Sequence, residues 1–227
     1  MDDTLRVTEI FRSIQGETSY VGLPCVFIRL AGCNLHCVWC DSRYAADDKG
    51  TEMSVENVVH RADRYGSLVV CVTGGEPLLQ PAMIPLVHAL VKLNHIVLVE
   101  TNGSLDISVL PHDAVRVMDV KCPGSGECGT TLESNIEALR PHDEVKFVLL
   151  DRWDFGWAVE YVRGHELIRR CHVLFSPVVE DPETFELGPE EGLDPRALAE
   201  WILESGLEVR LQVQLHKLLW PDKPRGV

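Results

Sequence analysis

The chain has 227 residues, 45% of them hydrophobic, which is enough for one domain-sized core. Its 21 basic and 35 acidic residues give a formal charge of -14, which argues against broad binding to nucleic acid or anionic membranes and means that an anionic substrate needs basic residues placed locally. No apolar run reaches the ~20 residues of a membrane span, and the acidic start Met1-Asp2-Asp3-Thr4 has no secretory n-region, so a cytoplasmic protein is expected.

A strand is predicted over 6–10, followed by the polar segment Phe11-Arg12-Ser13-Ile14-Gln15-Gly16-Glu17-Thr18. A second strand over 26–30 leads through Ala31-Gly32 into Cys33-Asn34-Leu35-His36-Cys37-Val38-Trp39-Cys40, then Asp41-Ser42. Ser54 is a natural N-cap for a helix over 55–65. A strand over 68–73 runs into Gly74-Gly75-Glu76-Pro77, a helix follows over 82–93, and a strand over 96–100 ends at Thr101-Asn102-Gly103. The strand over 115–120 meets Lys121. Helices over 132–139 and 154–162 then alternate with strands over 145–150 and 172–176. An exposed acidic loop is expected over 180–191, then a helix over 195–205 with Gly206 as its C-cap. The last strand, over 208–214, runs into Leu215-His216-Lys217.

Several of these strands are almost continuously apolar, as in a parallel sheet covered on both faces. Their alternation with helices predicts βαβ units with right-handed crossovers. A closed eightfold barrel takes ~250 residues, and this chain spends its first forty on a hairpin-like opening and the cysteine loop. The expected fold is therefore α/β, an incomplete TIM-like barrel of about six βα units. It forms one domain over 1–227, divided into an opening strand and cysteine loop (1–50), a βα core (51–214) and a C-terminal tail (215–227). Function in such folds gathers at the C-terminal ends of strands, where all of these motifs fall.

Eight clustered cysteines without a secretory signal point to metal binding in a reducing compartment rather than to a disulfide framework. Three thiols at Cys-x3-Cys-x2-Cys can hold three irons of a 4Fe–4S cluster and leave the fourth iron open, whereas closed zinc sites and plain electron-transfer clusters take four protein ligands. The competing reading is a zinc knuckle completed by His36 or a remote cysteine. Cys25, Cys71, Cys122, Cys128 and Cys171 show no second metal spacing, and Cys71 and Cys171 sit in apolar runs as small core residues. Gly74-Gly75 reads either as turn punctuation or as backbone bared for close approach of a ligand. The triplet, with Trp39 before its last cysteine, and Gly-Gly-Glu-Pro one strand later together resemble the radical S-adenosylmethionine superfamily. That resemblance implies that Cys33, Cys37 and Cys40 bind a 4Fe–4S cluster whose open iron chelates S-adenosylmethionine, yielding a 5′-deoxyadenosyl radical.

Gln15 and Glu17 offer both donors and acceptors to a heterocycle, and Arg29 a planar fork to a carboxylate. The plainer readings are a polar turn and an ion pair at a strand end. With Cys40-Asp41-Ser42, Glu100-Thr101-Asn102-Gly103 and Gln214-Leu215-His216-Lys217, the chain resembles the 7-carboxy-7-deazaguanine synthase family from about Val7 onward, less closely across 151–192. The resemblance implies a lyase that contracts the ring of 6-carboxy-5,6,7,8-tetrahydropterin with loss of ammonia, in queuosine and 7-deazapurine biosynthesis. It implies substrate contacts from Ile14, Gln15, Gly16, Arg29 and Thr73, with Glu17 and His216 as further candidates. S-adenosylmethionine contacts would come from Trp39, Asp41, Gly75, Asp119, Val120, Lys121, Cys122, Phe175, Ser176, Pro177 and Val178, and magnesium would sit at Ser42. It also implies a homodimer and an electron donor such as flavodoxin or ferredoxin. Two departures stand out. Asp119-Val120 replaces a Ser-Pro pair of some relatives, and the chain runs past the His-Lys motif through Trp220-Pro221-Asp222 to Arg225-Gly226-Val227, where some members end and use the terminal carboxylate on the substrate. A glycyl-radical activating enzyme shares the short scaffold and cluster spacing, but Gln15, Glu17, Arg29 and His216 favour a small carboxylated ring. A non-enzymatic zinc module would leave the glycine motif and the other strand-end residues unexplained.

Overall fold

A computed structural model describes residues 3–179, 192–223 and 225–227, so the predicted loop over 180–191 lies outside the described residues. Among these residues one sheet is built from β1 (Thr4–Ile14), β2 (Pro24–Leu30), β3 (Thr51–Ser54), β4 (Val69–Gly74), β5 (Ile96–Thr101), β6 (Val115–Asp119), β7 (Glu144–Leu149), β8 (His172–Pro177) and β9 (Arg210–Leu211). Its order is β3-β1-β2-β4-β5-β6-β7-β8-β9, with two unpaired ends, so the barrel is open. Strands β2 and β4 to β9 are parallel, and β1 runs antiparallel between β3 and β2. Helices α1 (Arg43–Asp47), α2 (Val55–Asp63), α3 (Met83–Lys92), α4 (Glu133–Ala138), α5 (Arg152–Gly164), α6 (Leu167–Arg170), α7 (Pro195–Ser205) and α8 (Leu215–Leu219) complete the fold. Six crossovers link the seven parallel strands, matching the expected number of βα units.

The two-residue strand period sorts the side chains. Val26, Ile28 and Leu30 of β2, Val70 and Val72 of β4, and Val97 and Val99 of β5 pack with the helices in the main core. The alternate residues Cys25, Phe27, Val69, Cys71, Leu98, Val115 and Val117 form a second apolar cluster on the inner face. Further along the same inner rows the residues become polar: Arg29, Thr73, Glu100, Asp119 and Lys146. The barrel thus has an apolar floor and a charged upper layer at the C-terminal strand ends.

The caps follow local chemistry. The Ser54 hydroxyl accepts from Asn57 N at 3.3 Å, and Gly206 ends α7 at φ +66°. Helix α5 starts earlier than 154 because Asp151 caps it, accepting from Trp153 N and Asp154 N. The predicted strand over 208–214 pairs only at Arg210–Leu211. Beyond it Gln212 is buried, and its amide accepts from Thr18 N at 2.6 Å and donates to Thr18 O at 3.1 Å. The chain therefore leaves the sheet and folds onto the 15–18 segment. Strand β3 and helix α8 escape sequence reading because β3 is mostly exposed and α8 has no buried residue to show a period. No helix of the described residues is long and apolar enough to cross a membrane.

Candidate active site

A cavity of about 850 Å³ opens over the charged layer, a volume suited to small molecules. Cys33, Cys37 and Cys40 line it together with Gln15, Glu17, Arg29, Thr73, Asp119, Lys146 and His216. Helix α8 and residues of the C-terminal tail, including Arg225, close it from the side.

The cysteine loop is pinned from beneath by the glycine turn. Gly75 N donates to Leu30 O at 3.1 Å and Glu76 N to Gly32 O at 2.8 Å. A Cβ on Gly75 would lie 1.9 Å from Gly32 O, and one on Gly74, at φ +138°, 2.1 Å from Leu30 O. No side chain fits there, so both glycines are needed for close backbone approach. Glu76 is fully buried and accepts from Thr101 Oγ1 at 2.9 Å, Asn102 N at 2.7 Å and Leu78 N at 3.0 Å. It fixes the end of β5 beside the loop. Asn102 Nδ2 in turn donates to Asn34 Oδ1 at 3.0 Å and lies 3.9 Å from Cys33 Sγ.

The loop's donor set fits a cluster. A closed zinc site takes four protein ligands, and the described residues lining the cavity offer these three thiols with no fourth cysteine. Three thiols of one short loop that all line the cavity match the ligand set of a 4Fe–4S cluster with one iron left open. His36 is exposed and does not line the cavity. Burial pushes the Cys40 thiol up to about 11, with Asp41 adding to the shift, and raises Cys37. A bound cationic iron centre is what would favour their thiolates.

Two charge networks face the thiols. In one, Arg29 Nε donates to Glu9 Oε1 at 2.8 Å and its Nη1 to Ser42 Oγ at 3.3 Å, while Ser42 Oγ donates to Asp41 Oδ1 at 2.8 Å. Tyr44 OH shares Glu9 Oε1 at 2.7 Å. In the other, Lys146 Nζ meets Glu17 Oε2 at 2.6 Å and Asp119 Oδ2 at 3.8 Å, and Lys121 Nζ donates to Asp119 Oδ2 at 2.9 Å. Gln214 Nε2 donates to Glu17 Oε1 at 2.6 Å and Asp41 Oδ2 at 3.2 Å. Burial alone would raise the Glu17 carboxyl, but Lys146 outweighs it and holds the group below its ordinary range. Burial likewise opposes charge on Lys146 and Lys121, and the carboxylates beside them reverse that, so both stay cationic. Gln15 is 2% exposed; its Oε1 accepts from Glu17 N at 3.2 Å, and its buried Nε2 has no partner among the described residues.

Of the residues carried over by resemblance, Gln15, Glu17, Arg29, Thr73, Trp39, Asp41, Ser42, Gly75, Asp119, Lys121, Val178 and His216 line the cavity beside the three cysteines. Gly16 lies directly behind His216, where an added Cβ would sit 2.2 Å from His216 Nδ1. Ile14 ends β1, and Ser176 and Pro177 pair with Val148 and Leu149 in the sheet. Val120, Cys122 and Phe175 are buried in the main core, which leaves only their backbone for a ligand. Sequence reading missed Lys146, Glu9 and Tyr44. Lys146 carried a signal: it is a charge set between Val145 and the apolar run Phe147-Val148-Leu149, in a strand whose other charge, Glu144, stands at its start.

A family model for the radical SAM superfamily matches residues 27–119. A 7-carboxy-7-deazaguanine synthase of Koribacter versatilis (strain Ellin345) is 43% identical over 228 residues, covering 98% of this chain and 100% of the relative. The Chlorobaculum tepidum 7-carboxy-7-deazaguanine synthase is 39% identical over 226 residues, covering 98% and 97%. The crystal structure of QueE from Escherichia coli shares the fold at 21% identity, with a TM-score of 0.74 over 94% of this chain and 95% of that one. Aligned along its length at these identities, and carrying the cysteine triplet on an open α/β barrel, this chain belongs to the 7-carboxy-7-deazaguanine synthase family of radical S-adenosylmethionine enzymes.

Proposed function

We propose that this chain converts 6-carboxy-5,6,7,8-tetrahydropterin to 7-carboxy-7-deazaguanine with release of ammonia. The carrying observation is that Cys33, Cys37 and Cys40 line one cavity together with Gln15, Glu17 and Arg29, whose donors and acceptors suit a carboxylated aminopyrimidinone. The free Nε2 of Gln15 is a donor for the ring carbonyl or nitrogen, and the Glu17 carboxylate an acceptor for the neighbouring N–H groups. Arg29, its plane set by Glu9 and Ser42, presents a guanidinium to the substrate carboxylate. Arg29 supplies the local positive charge that a chain of formal charge -14 needs for an anionic ligand.

Cys33, Cys37 and Cys40 would hold the 4Fe–4S cluster, and the backbone of Gly74 and Gly75 with Trp39, Asp119 and Lys121 would seat S-adenosylmethionine beside it. Asp119 Oδ1 is buried without a partner among the described residues and is an acceptor for that ligand. Val120, Cys122 and the 175–178 segment would contribute backbone and van der Waals contacts. When bound, the cluster and S-adenosylmethionine supply a 5′-deoxyadenosyl radical, chemistry that belongs to the cofactors. The protein's part is orientation and exclusion of water from the radical. The Ser42 hydroxyl and Asp41 carboxylate form a hard oxygen pair suited to magnesium, which keeps waters and takes substrate oxygens. His216, seated against Gly16, would close the ring pocket. A homodimer and a flavodoxin- or ferredoxin-type electron donor complete the reading.

The test is anaerobic reconstitution, then incubation with the carboxypterin, S-adenosylmethionine and a reductant, with and without magnesium, read by mass analysis. Ring-contracted product is expected, and Cys37→Ala should form none. An intact cluster that cleaves S-adenosylmethionine yet leaves the carboxypterin unchanged would refute the substrate assignment.

A further inference from the structure

We propose that Lys146 is a positioning residue: its ammonium holds the Glu17 carboxylate in one orientation, as an acceptor for the N–H edge of the substrate ring. The inference rests on the function proposed above and assigns a role to a residue that does not itself contact the ring. Lys146 Nζ meets Glu17 Oε2 at 2.6 Å, while Gln214 Nε2 meets Oε1 at 2.6 Å. Donors on two sides lock the carboxylate's rotation and leave each oxygen further acceptor capacity. Glu17 N–H fixes Gln15 Oε1 at 3.2 Å and so aims Nε2, making a donor and an acceptor adjacent on one wall.

Stability does not account for this pair. The Lys146 and Glu17 side chains are 13% and 10% exposed, and burying both charges costs about as much as their attraction returns. Lys146 shares the inner face of the sheet with Glu144 on its own strand and Asp119 on β6, yet its short contact is to Glu17. The groups facing Glu17 are Lys146 from β7, Gln214 and His216 from the C-terminal segment, and Asp41 from the cysteine loop; those facing Lys146 also include Asp119 of β6 and Glu100 of β5. Asp119 is already bound by Lys121 at 2.9 Å, so the short Lys146 contact is spent on Glu17.

The experiment uses the full chain with its cluster reconstituted. Carboxypterin affinity is measured by anaerobic calorimetry, with KM and kcat, iron content and S-adenosylmethionine binding alongside. Lys146→Met should weaken carboxypterin binding roughly 10- to 100-fold, the range of a charged hydrogen bond, and raise KM with little change in iron or S-adenosylmethionine binding. Lys146→Arg should restore most of the affinity. In a Glu17→Gln background Lys146→Met should change affinity less than about twofold, because coupled residues are not additive. Binding to Lys146→Met should also weaken more steeply than wild type as pH falls, because a buried carboxyl without its cation takes up a proton more readily. An equal loss in both backgrounds, or loss of iron or S-adenosylmethionine binding, would overturn the role. If Lys146→Met does not fold, Lys146→Met/Glu17→Gln is compared with Glu17→Gln: equal affinities support the role, and a tenfold difference overturns it. Wild type that binds no carboxypterin refutes the parent reading and this one together, whereas wild-type binding matched by Lys146→Met refutes this one alone.

Discussion

Gly75→Ala should dislodge the cysteine loop without touching a thiol. The new Cβ would lie 1.9 Å from Gly32 O, 2.4 Å from Gly32 C and 2.9 Å from Cys33 N, where ordinary contact begins at 3.4 Å. All three are backbone atoms, so no rotamer change relieves the clash; the strand end and the loop must part. Overpacking of this kind costs about 1–3 kcal/mol. At about 2–4 °C per kcal/mol for a chain of this size, melting should fall by roughly 2–12 °C. The shift also strains the bonds from Gly75 N to Leu30 O and from Glu76 N to Gly32 O. Displacing Cys33 by about 1 Å should cost on the order of 100-fold in turnover. Gly66→Ala is the control: Gly66 has φ +65° with nothing within 4 Å of an added Cβ, so it should lose stability through backbone strain alone and load iron normally. The assay is thermal melting of both variants, then iron and sulfide content after reconstitution, then turnover. Gly75→Ala with wild-type melting, iron content and turnover would refute the close packing of the glycine turn beneath the loop.

Gly16→Ala places a Cβ 2.2 Å from His216 Nδ1, which can swing away, and 3.1 Å from His216 N, which must shift by a few tenths of an ångström, so KM for the carboxypterin should rise about tenfold with a smaller fall in melting than in Gly75→Ala. Arg29→Met should raise KM roughly 10- to 100-fold, and Arg29→Lys should recover only part of it, since an ammonium lacks the planar fork; steady-state kinetics distinguishes the two. The Glu17–Lys146 pair should shape stability against pH. Glu17 is depressed from its ordinary 4.5, so its contribution is present above that value and lost as pH falls through the lowered one. Lys146 is raised from 10.5, so its contribution is present below that value and lost only as pH rises through the raised one. Urea unfolding across pH should show a steeper acid limb in wild type than in Lys146→Met.

The parts of the site that local chemistry specifies were readable along the chain. The Cys33, Cys37 and Cys40 spacing, the Gly74-Gly75 turn and the apolar runs of β2, β4, β5, β6 and β7 each depend on neighbours a few residues away. Lys146 illustrates the converse: a charge beside an apolar run was visible, but its partner Glu17 is 129 positions distant. Arg29 was readable as a carboxylate ligand, but not Glu9 beside it, because β1 carries a register shift between Val7 and Glu9 before pairing with β2. The extent of β9 was misread for a similar reason: Gln212 bonds to Thr18 across 194 positions and draws the chain out of the sheet.

By itself, then, the sequence determined the reaction class, the strand-end placement of the motifs and the family, because ligand spacing, turn chemistry and strand period are short-range properties. Only the tertiary structure decided which charges meet over the apolar floor, which oxygen of Glu17 faces Lys146 and which donor of Gln15 is left for a ligand. Those outcomes depend on sheet order and on distances of a few ångströms between remote residues, the scale on which hydrogen bonds and screened charges are won or lost.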